Sequence, residues 1–271
     1  MPTLLSAPPS PLLRPYVRAY AQRKLTSIDL PLLEAVPAQL EQVLNFELGV
    51  MPGIHHRECK ISSGVWIGGA QTVFPGHMQL WPGVESFAIF FQPAGWSQLF
   101  GIPMREITNR IIDAELVSGK RMRDLWNSLG EATSFEQRVA VVERVLLAQL
   151  NKLVDGDGMA EVANLLFRQH GALRIPQLAS RHLLSVRQFE RKFQQETGAS
   201  PKTFARVARF QAAVDAKLSS PKTSWIDIAH RFGYYDQMHM VRDFAKLGQK
   251  SPTQLILELG DVRPPALAEA A

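Results

Sequence analysis

Two rhythms of apolar residues run along the chain, and one gives way to the other before its middle. In the first part, short apolar runs alternate with Gly and Pro: Leu40 to Leu48, Gly64 to Val73, and Ser86 to Gln92. Runs of this length bounded by turn residues predict strands of a small antiparallel sheet or barrel. From about Arg105 the spacing turns helical. Ser134 and Gln137 have the spacing of a capping box, and Phe135, Val139, Val142, Leu146 and Leu153 follow at near-heptad intervals. That stripe must be covered, either by its own domain or by a second copy of the chain, and the spacing does not choose between them. Asp155-Gly156-Asp157-Gly158 then breaks the pattern, because two glycines between acids favour turns.

Beyond this break the chain reads as helices and repeats itself. Arg191, Phe193, Ser200 and Pro201 recur 51 residues later as Arg242, Phe244, Ser251 and Pro252, while Leu178-Ala179 recurs 50 residues later as Ile228-Ala229. The extra residue falls at a turn, where Leu184-Ser185 of the first copy faces Gly233 to Asp236 of the second. Turns accept insertions that helices do not. In the first copy Pro176 opens a helix with Leu178, Ala179 and Leu183 on its inner face. Ser185 with Gln188 then starts a helix that buries Phe189 and Phe193 and leaves Arg187, Glu190, Arg191 and Gln194 outward. In the second copy Ser224 and Asp227 cap a helix that turns Ile226, Ile228, Ala229 and Phe232 inward. Asp236 caps the next, with Met240 and Phe244 buried and Gln237, Met238, Val241 and Arg242 outward.

Two short helices joined by a tight turn, the second offering polar side chains from its first turns, fit the DNA major groove, which at about 12 Å wide admits one helix. Between the copies, Ser200-Pro201 begins a linker helix in which Phe204, Val207, Val214 and Leu218 keep helical spacing and polar Gln211 is the exception. About 18 residues at about 1.5 Å each span about 27 Å, comparable with the roughly 34 Å between successive groove faces. Such helix pairs also occur as plain packing units. Duplication and charge favour DNA. The expected fold is α+β: residues 1–154 form an effector-sensing or dimerisation domain of antiparallel strands and helices, 155–158 a linker, 159–258 an all-α domain of two helix-turn-helix units, and 259–271 a flexible tail.

The chain has 271 residues and a net charge of +5, unevenly spread. Residues 159–257 carry 15 Lys and Arg against 7 Asp and Glu, a net +8, and the rest 15 against 18, a net −3. A basic domain beside a near-neutral one suggests a module for a polyanion. Ser185, Lys192, Lys202, Arg206, Lys246 and Lys250 are the candidates for the DNA backbone. No run approaches the roughly 20 apolar residues of a membrane span, and the N-terminus has no basic leader, which places the chain in the cytoplasm beside the nucleoid. The single cysteine, Cys59, excludes an intramolecular disulfide framework and multi-cysteine zinc sites.

The stretch from about Met159 to Leu257 resembles the DNA-binding domain of the AraC/XylS family of bacterial transcription regulators. The second copy carries the most specific part: Ile228-Ala229, Gly233-Tyr234, Asp236, His239 and Arg242-Asp243-Phe244. In the first copy the matching residues are Leu178-Ala179, Ser185, Phe189, Arg191, Phe193, Gly198 and Ser200-Pro201. The resemblance implies base contacts from Arg187, Glu190 and Arg191 in the first unit and from Gln237, Met238, Val241 and Arg242 in the second. The sequence departs from the family where Gln249 stands five residues after Phe244 in place of the usual Gly, where Met238 replaces a small polar residue and Met240 an aromatic, and where Leu255-Ile256 ends the motif. Leu13-Arg14-Pro15-Tyr16-Val17, Phe90-Phe91-Gln92-Pro93 and Gly101-Ile102-Pro103 are similar to a sensor-type domain found ahead of such modules.

Other chemistry is thinly represented. His55, His56, Glu58 and His77 invite a cupin-like metal reading, but neighbouring histidines on a strand point to opposite faces. Cys59 near His56 invites a thiol enzyme, yet no third residue orients such a pair. His230 and His239 are spaced too far apart to share a metal on one helix face, and His239 is expected to support the turn. Phe74, Trp81, Phe90 and Trp96 are candidates to line an effector pocket, or are simply core. The expectation is therefore a non-enzymatic transcription factor, an activator in type, without metal or cofactor. Its expected partners are promoter DNA, RNA polymerase, a small-molecule effector and a second copy of itself. The alternatives are a DNA-binding protein with a metal-binding or thiol-enzyme N-terminal domain, or a non-specific structural binder.

Overall fold

The computed structural model describes residues 3–56, 59–151, 153 and 158–259. Linker residues 155–157, the tail from 260 and Glu58 fall outside them. The strands are β1 (Thr3–Ala7), β2 (Val17–Lys24), β3 (Leu32–Val36), β4 (Val43–Glu47), β5 (Gly53–His56), β6 (Cys59–Lys60), β7 (Val65–Gly68), β8 (Gly76–Leu80), β9 (Glu85–Phe91) and β10 (Ile111–Asp113). A larger sheet runs in the order β1-β2-β9-β4-β7-β10-β6, and a smaller one in the order β3-β8-β5. Pairing is antiparallel except between β10 and β6. The three apolar runs of the sequence became β4, β7 and β9. The helical reading from Arg105 needs correction, since helix α1 (Gly95–Phe100) precedes that point and β10 follows it. A three-residue strand is too short to display a period of two.

Strand alternation divides the larger sheet into two faces. Leu44 and Phe46 of β4, Val65 and Ile67 of β7, and Phe87, Ile89 and Phe91 of β9 enter one core with Trp96 and Leu99 of α1, Leu125 and Leu129 of α3 (Lys120–Glu131), and Phe135, Val142 and Leu146 of α4 (Phe135–Leu150). The short helix α2 (Ala114–Ser118) closes the edge, capped by Asp113. The α4 stripe is thus covered by its own sheet, which settles the choice the spacing left open. Ser134 caps that helix as expected, its Oγ accepting from the Gln137 N–H.

The C-terminal part is all helix among the described residues: α5 (Met159–Arg168), α6 (Ile175–Arg181), α7 (Val186–Thr197), α8 (Pro201–Ser219), α9 (Trp225–Arg231), α10 (Gln237–Leu247) and α11 (Pro252–Leu259). The repeat is physical. Leu184 N–H bonds Ala179 O at 3.0 Å after α6, and Tyr234 N–H bonds Ala229 O at 3.0 Å after α9. Both turns pass through the left-handed region, at Leu183 (φ 55°) and Gly233 (φ 69°). Two inward assignments are corrected. Leu183 is 94% exposed because it occupies that left-handed turn position, and Ile226 is 55% exposed because Trp225 packs edge-on against Phe244 in its place.

The two domains meet in an apolar cluster that draws mainly on the C-terminal helices. Ala38, Leu40 and Ala94 of the N-terminal part sit in the same apolar cluster as Phe204, Phe210 and Phe244. Arg18, in a register shift of β2, pairs with Glu41 and with Asp215 of α8 (3.4 Å). Gln211, one turn before Asp215, accepts from Leu40 N–H at 2.9 Å and donates to Glu41 at 2.5 Å. All four side chains are buried. A bulge re-aims a side chain, and here it turns Arg18 out of its own sheet into the partner domain.

Candidate nucleic-acid interface and ligand cavity

Helix α7 begins at a complete capping box, in which Ser185 Oγ accepts from Gln188 N–H and Gln188 Oε1 accepts from Ser185 N–H at 3.0 Å. Phe189 and Phe193 anchor its buried side, so Arg187, Glu190 and Arg191 are exposed on its first turns. In α10 the Asp236 carboxylate accepts from His239 N–H at 2.6 Å. The His239 ring packs edge-on to buried Tyr234 at 5.4 Å, supporting the turn as expected. Gln237, Met238 and Arg242 are exposed, and Val241 is half-buried.

Of the backbone candidates, Lys202 and Lys246 are exposed, while Lys192 is half-buried. Arg206 is turned onto Asp243 at 3.2 Å, and Lys250 onto Glu258 at 2.6 Å. These two brace neighbouring helices, and a phosphate would have to compete with a carboxylate for each. Burial pushes the Asp243 carboxyl above the usual carboxylate range, with Arg206 opposing it.

The C-terminal ends of both helices rest on the other domain. Glu196 of α7 accepts from Ser97 Oγ at 3.3 Å. Gly198, its left-handed cap (φ 74°), lies so close to the 3-10 turn at Met104–Glu106 that an added Cβ would stand 1.7 Å from Thr108 Oγ1. At the end of α10, Leu247 O accepts from Ala38 N–H at 2.8 Å. Both helices therefore have free beginnings and held ends.

The second face of the larger sheet borders a cavity of about 190 Å³, closed on its far side by β3, β5 and β8. Alternation puts Val43, Asn45 and Glu47 of β4, Ser86, Ala88 and Phe90 of β9, Ala21 and Arg23 of β2, and Trp66 of β7 on its wall. Leu259, at the end of α11, is buried and lines it too, although the sequence placed that residue in a flexible tail. Of the four expected pocket aromatics, Phe90 alone is on the wall. Trp96 lies in the opposite core against Phe91 and Phe100, and Phe74 stands edge-on to His77. Trp81 packs where the missing Cβ of Gly53 leaves room. Neighbours such as Phe90 and Phe91 point to opposite faces, so aromatic richness by itself did not single out the pocket.

What marks the pocket instead is buried polarity. Glu47, 3% exposed, accepts from Trp66 Nε1 (2.9 Å) and Asn45 Nδ2 (2.6 Å) at one oxygen and from Ser86 Oγ (2.6 Å) at the other. Burial pushes its carboxyl up to about 7. Glu34 pairs with Arg23 at 2.8 Å and is also raised by burial. His55 and His56 meet Gln79 and Gln71, and no three His, Cys, Asp or Glu among the described residues are grouped to hold a metal. Burial pushes the Cys59 thiol up, opposite to what a thiolate nucleophile needs.

Residues 178–256 match the family described as "Helix-turn-helix domain". No curated protein matches the chain. A crystal structure of ToxT from Vibrio cholerae O395 superposes with a TM-score of 0.50 at 10% identity, covering 97% of this chain and 98% of that one. One of wild-type ToxT from V. cholerae strain SCE256, described as bound to an unsaturated fatty acid, gives a TM-score of 0.50 at 9% identity over 97% and 96%. At such identity the likeness is one of fold. None of the helices among the described residues is long and apolar enough to cross a membrane. The C-terminal region is thus a helix-turn-helix domain of the AraC type, carried behind an N-terminal domain of antiparallel sheets in the fold of ToxT.

Proposed function

We propose that the protein is a non-enzymatic, ligand-responsive transcription regulator that binds specific promoter DNA through α7 and α10. The observation that carries this reading is the pair of recognition helices whose first turns are free while their last residues rest on a cavity-bearing domain. Arg187, Glu190 and Arg191 of α7 read bases, with Gln237, Met238, Val241 and Arg242 of α10 as the second reader. Lys202 and Lys246 are the open backbone contacts, joined by Ser185 and Lys192. The ligand occupies the cavity and acts on DNA through the apolar cluster where the domains meet. Activation through RNA polymerase and assembly as a homodimer in the cytoplasm belong to the same reading.

Selection of bound sites from random duplexes tests it. A recurrent motif with two half-sites about one helical turn apart is the expected result. Equal affinity for selected and random duplexes at physiological salt would make the protein a non-specific binder instead.

A further inference from the structure

The chemistry of the cavity wall indicates what kind of molecule it takes, on the reading that this cavity is the effector site. Its charged groups other than histidine are two carboxylates, Glu34 and Glu47, and one guanidinium, Arg23. Arg23 is engaged by Glu34 at 2.8 Å. The other oxygen of Glu34, Oε1, is buried without a hydrogen-bond partner. At Glu47 one oxygen takes two donors and the other takes Ser86 alone, which leaves it room for one more. At this end of the wall the carboxylate oxygens can accept more than the protein donates to them. Trp66 adds aromatic surface beside Glu47, and aromatic faces attract cations; Phe90, opposite Val43, bounds the far end of the wall. A cavity of about 150 Å³ holds benzene, so about 190 Å³ suits a ligand slightly larger.

We propose that the cavity binds a small organic amine, its ammonium donating to Glu34 and Glu47 and its apolar body lying against Trp66 and Ala88. A fatty acid is the wrong ligand on two counts. At the Glu34 and Glu47 end its carboxylate would meet two carboxylates and a guanidinium already engaged by one of them, and a long acyl chain exceeds about 190 Å³.

The test is calorimetric titration of the full-length protein at neutral pH with benzylamine, benzyl alcohol, benzoate and oleate. Benzylamine should bind at least tenfold more tightly than benzoate, and oleate should not bind. Glu34→Gln removes the carboxylate facing Arg23 and should shrink the benzylamine-to-benzoate preference at least tenfold; Glu47→Gln shrinks it too and serves if the first variant does not fold. Ala88→Leu, which fills the cavity, should abolish binding. Benzoate or oleate binding as tightly as benzylamine overturns the amine. Equal binding of benzyl alcohol and benzylamine, unchanged in Glu34→Gln but lost in Ala88→Leu, also overturns it while leaving the effector site standing. Binding of none of the four, or binding that survives Ala88→Leu, overturns both.

Discussion

Left-handed backbone is tolerated by glycine and costs other residues about 1 to 2 kcal/mol. Gly233 turns the second unit with open space around the position of a Cβ, whereas Leu183 does the same work in the first. Gly233→Ala should therefore lose about 1 kcal/mol from conformation alone, measured by urea unfolding. Gln249 also lies in the left-handed region (φ 57°), at the position where the family's glycine was noted as missing. Gln249→Gly should gain about 0.5 kcal/mol, the relief exceeding the entropy glycine adds to the unfolded chain; a loss would mean that the Gln249 side chain contributes more than its backbone costs. Glu47 supplies a pH test. Its folded value of about 7 stands above the ordinary 4.5, so its stabilising share is complete below about pH 4.5 and is lost as pH rises through 7. Between those limits wild type should lose about 3 kcal/mol relative to Glu47→Gln. Comparing the two proteins cancels other titrations, and a constant gap would mean that Glu47 ionises as an ordinary carboxyl.

At the scale of elements, much of the C-terminal domain was legible because helix signals are local. Ser185 with Gln188, Ser224 with Asp227, and Asp236 all cap the helices they were expected to cap. Polar neighbours hid other features. β2 reads VRAYAQRK, too charged to be taken for a central strand, because Arg18 and Arg23 serve the domain interface and the cavity. Asn45 and Glu47 interrupt an apolar run, and that interruption is the sequence signal of the cavity wall. Among the recognition elements, α7 presents Arg187, Glu190 and Arg191, while α10 mixes Gln237 and Arg242 with Met238. Arg191→Ala should cost about 1 to 3 kcal/mol and relax preference at one base position. Lys202→Ala should weaken all sequences alike and lower the salt slope by about 1, and Met238→Ala should affect at most a thymine-methyl contact. Binding assays across a set of single-base operator variants separate these outcomes. An unchanged base preference in Arg191→Ala would remove α7 as the main reader.

For the whole molecule the decisive group is Gln211, buried with Asp215 on the apolar side of the linker helix. In the sequence it looked like an irregularity; its amide instead joins the domains, accepting from Leu40 N–H and donating to Glu41, which holds Arg18, which in turn reaches Asp215. Each buried partner stranded by its removal costs about 1 to 3 kcal/mol, more where the partner is charged. Gln211→Ala strands the Leu40 N–H and takes one donor from Glu41, which keeps Arg18, a loss of about 1 to 3 kcal/mol at the domain boundary. The cluster that contains Ala38, Leu40 and Phe244 also joins the two domains. Calorimetry should accordingly show a lower midpoint in Gln211→Ala than in wild type, while the Arg18–Asp215 pair and the apolar cluster still join the domains. Arg187 and Arg191 take no part in this link, so affinity for an isolated half-site should change little. An unaltered midpoint would mean that the interface is held by its other contacts, and that the route from cavity to DNA runs through α11 and Leu259 instead.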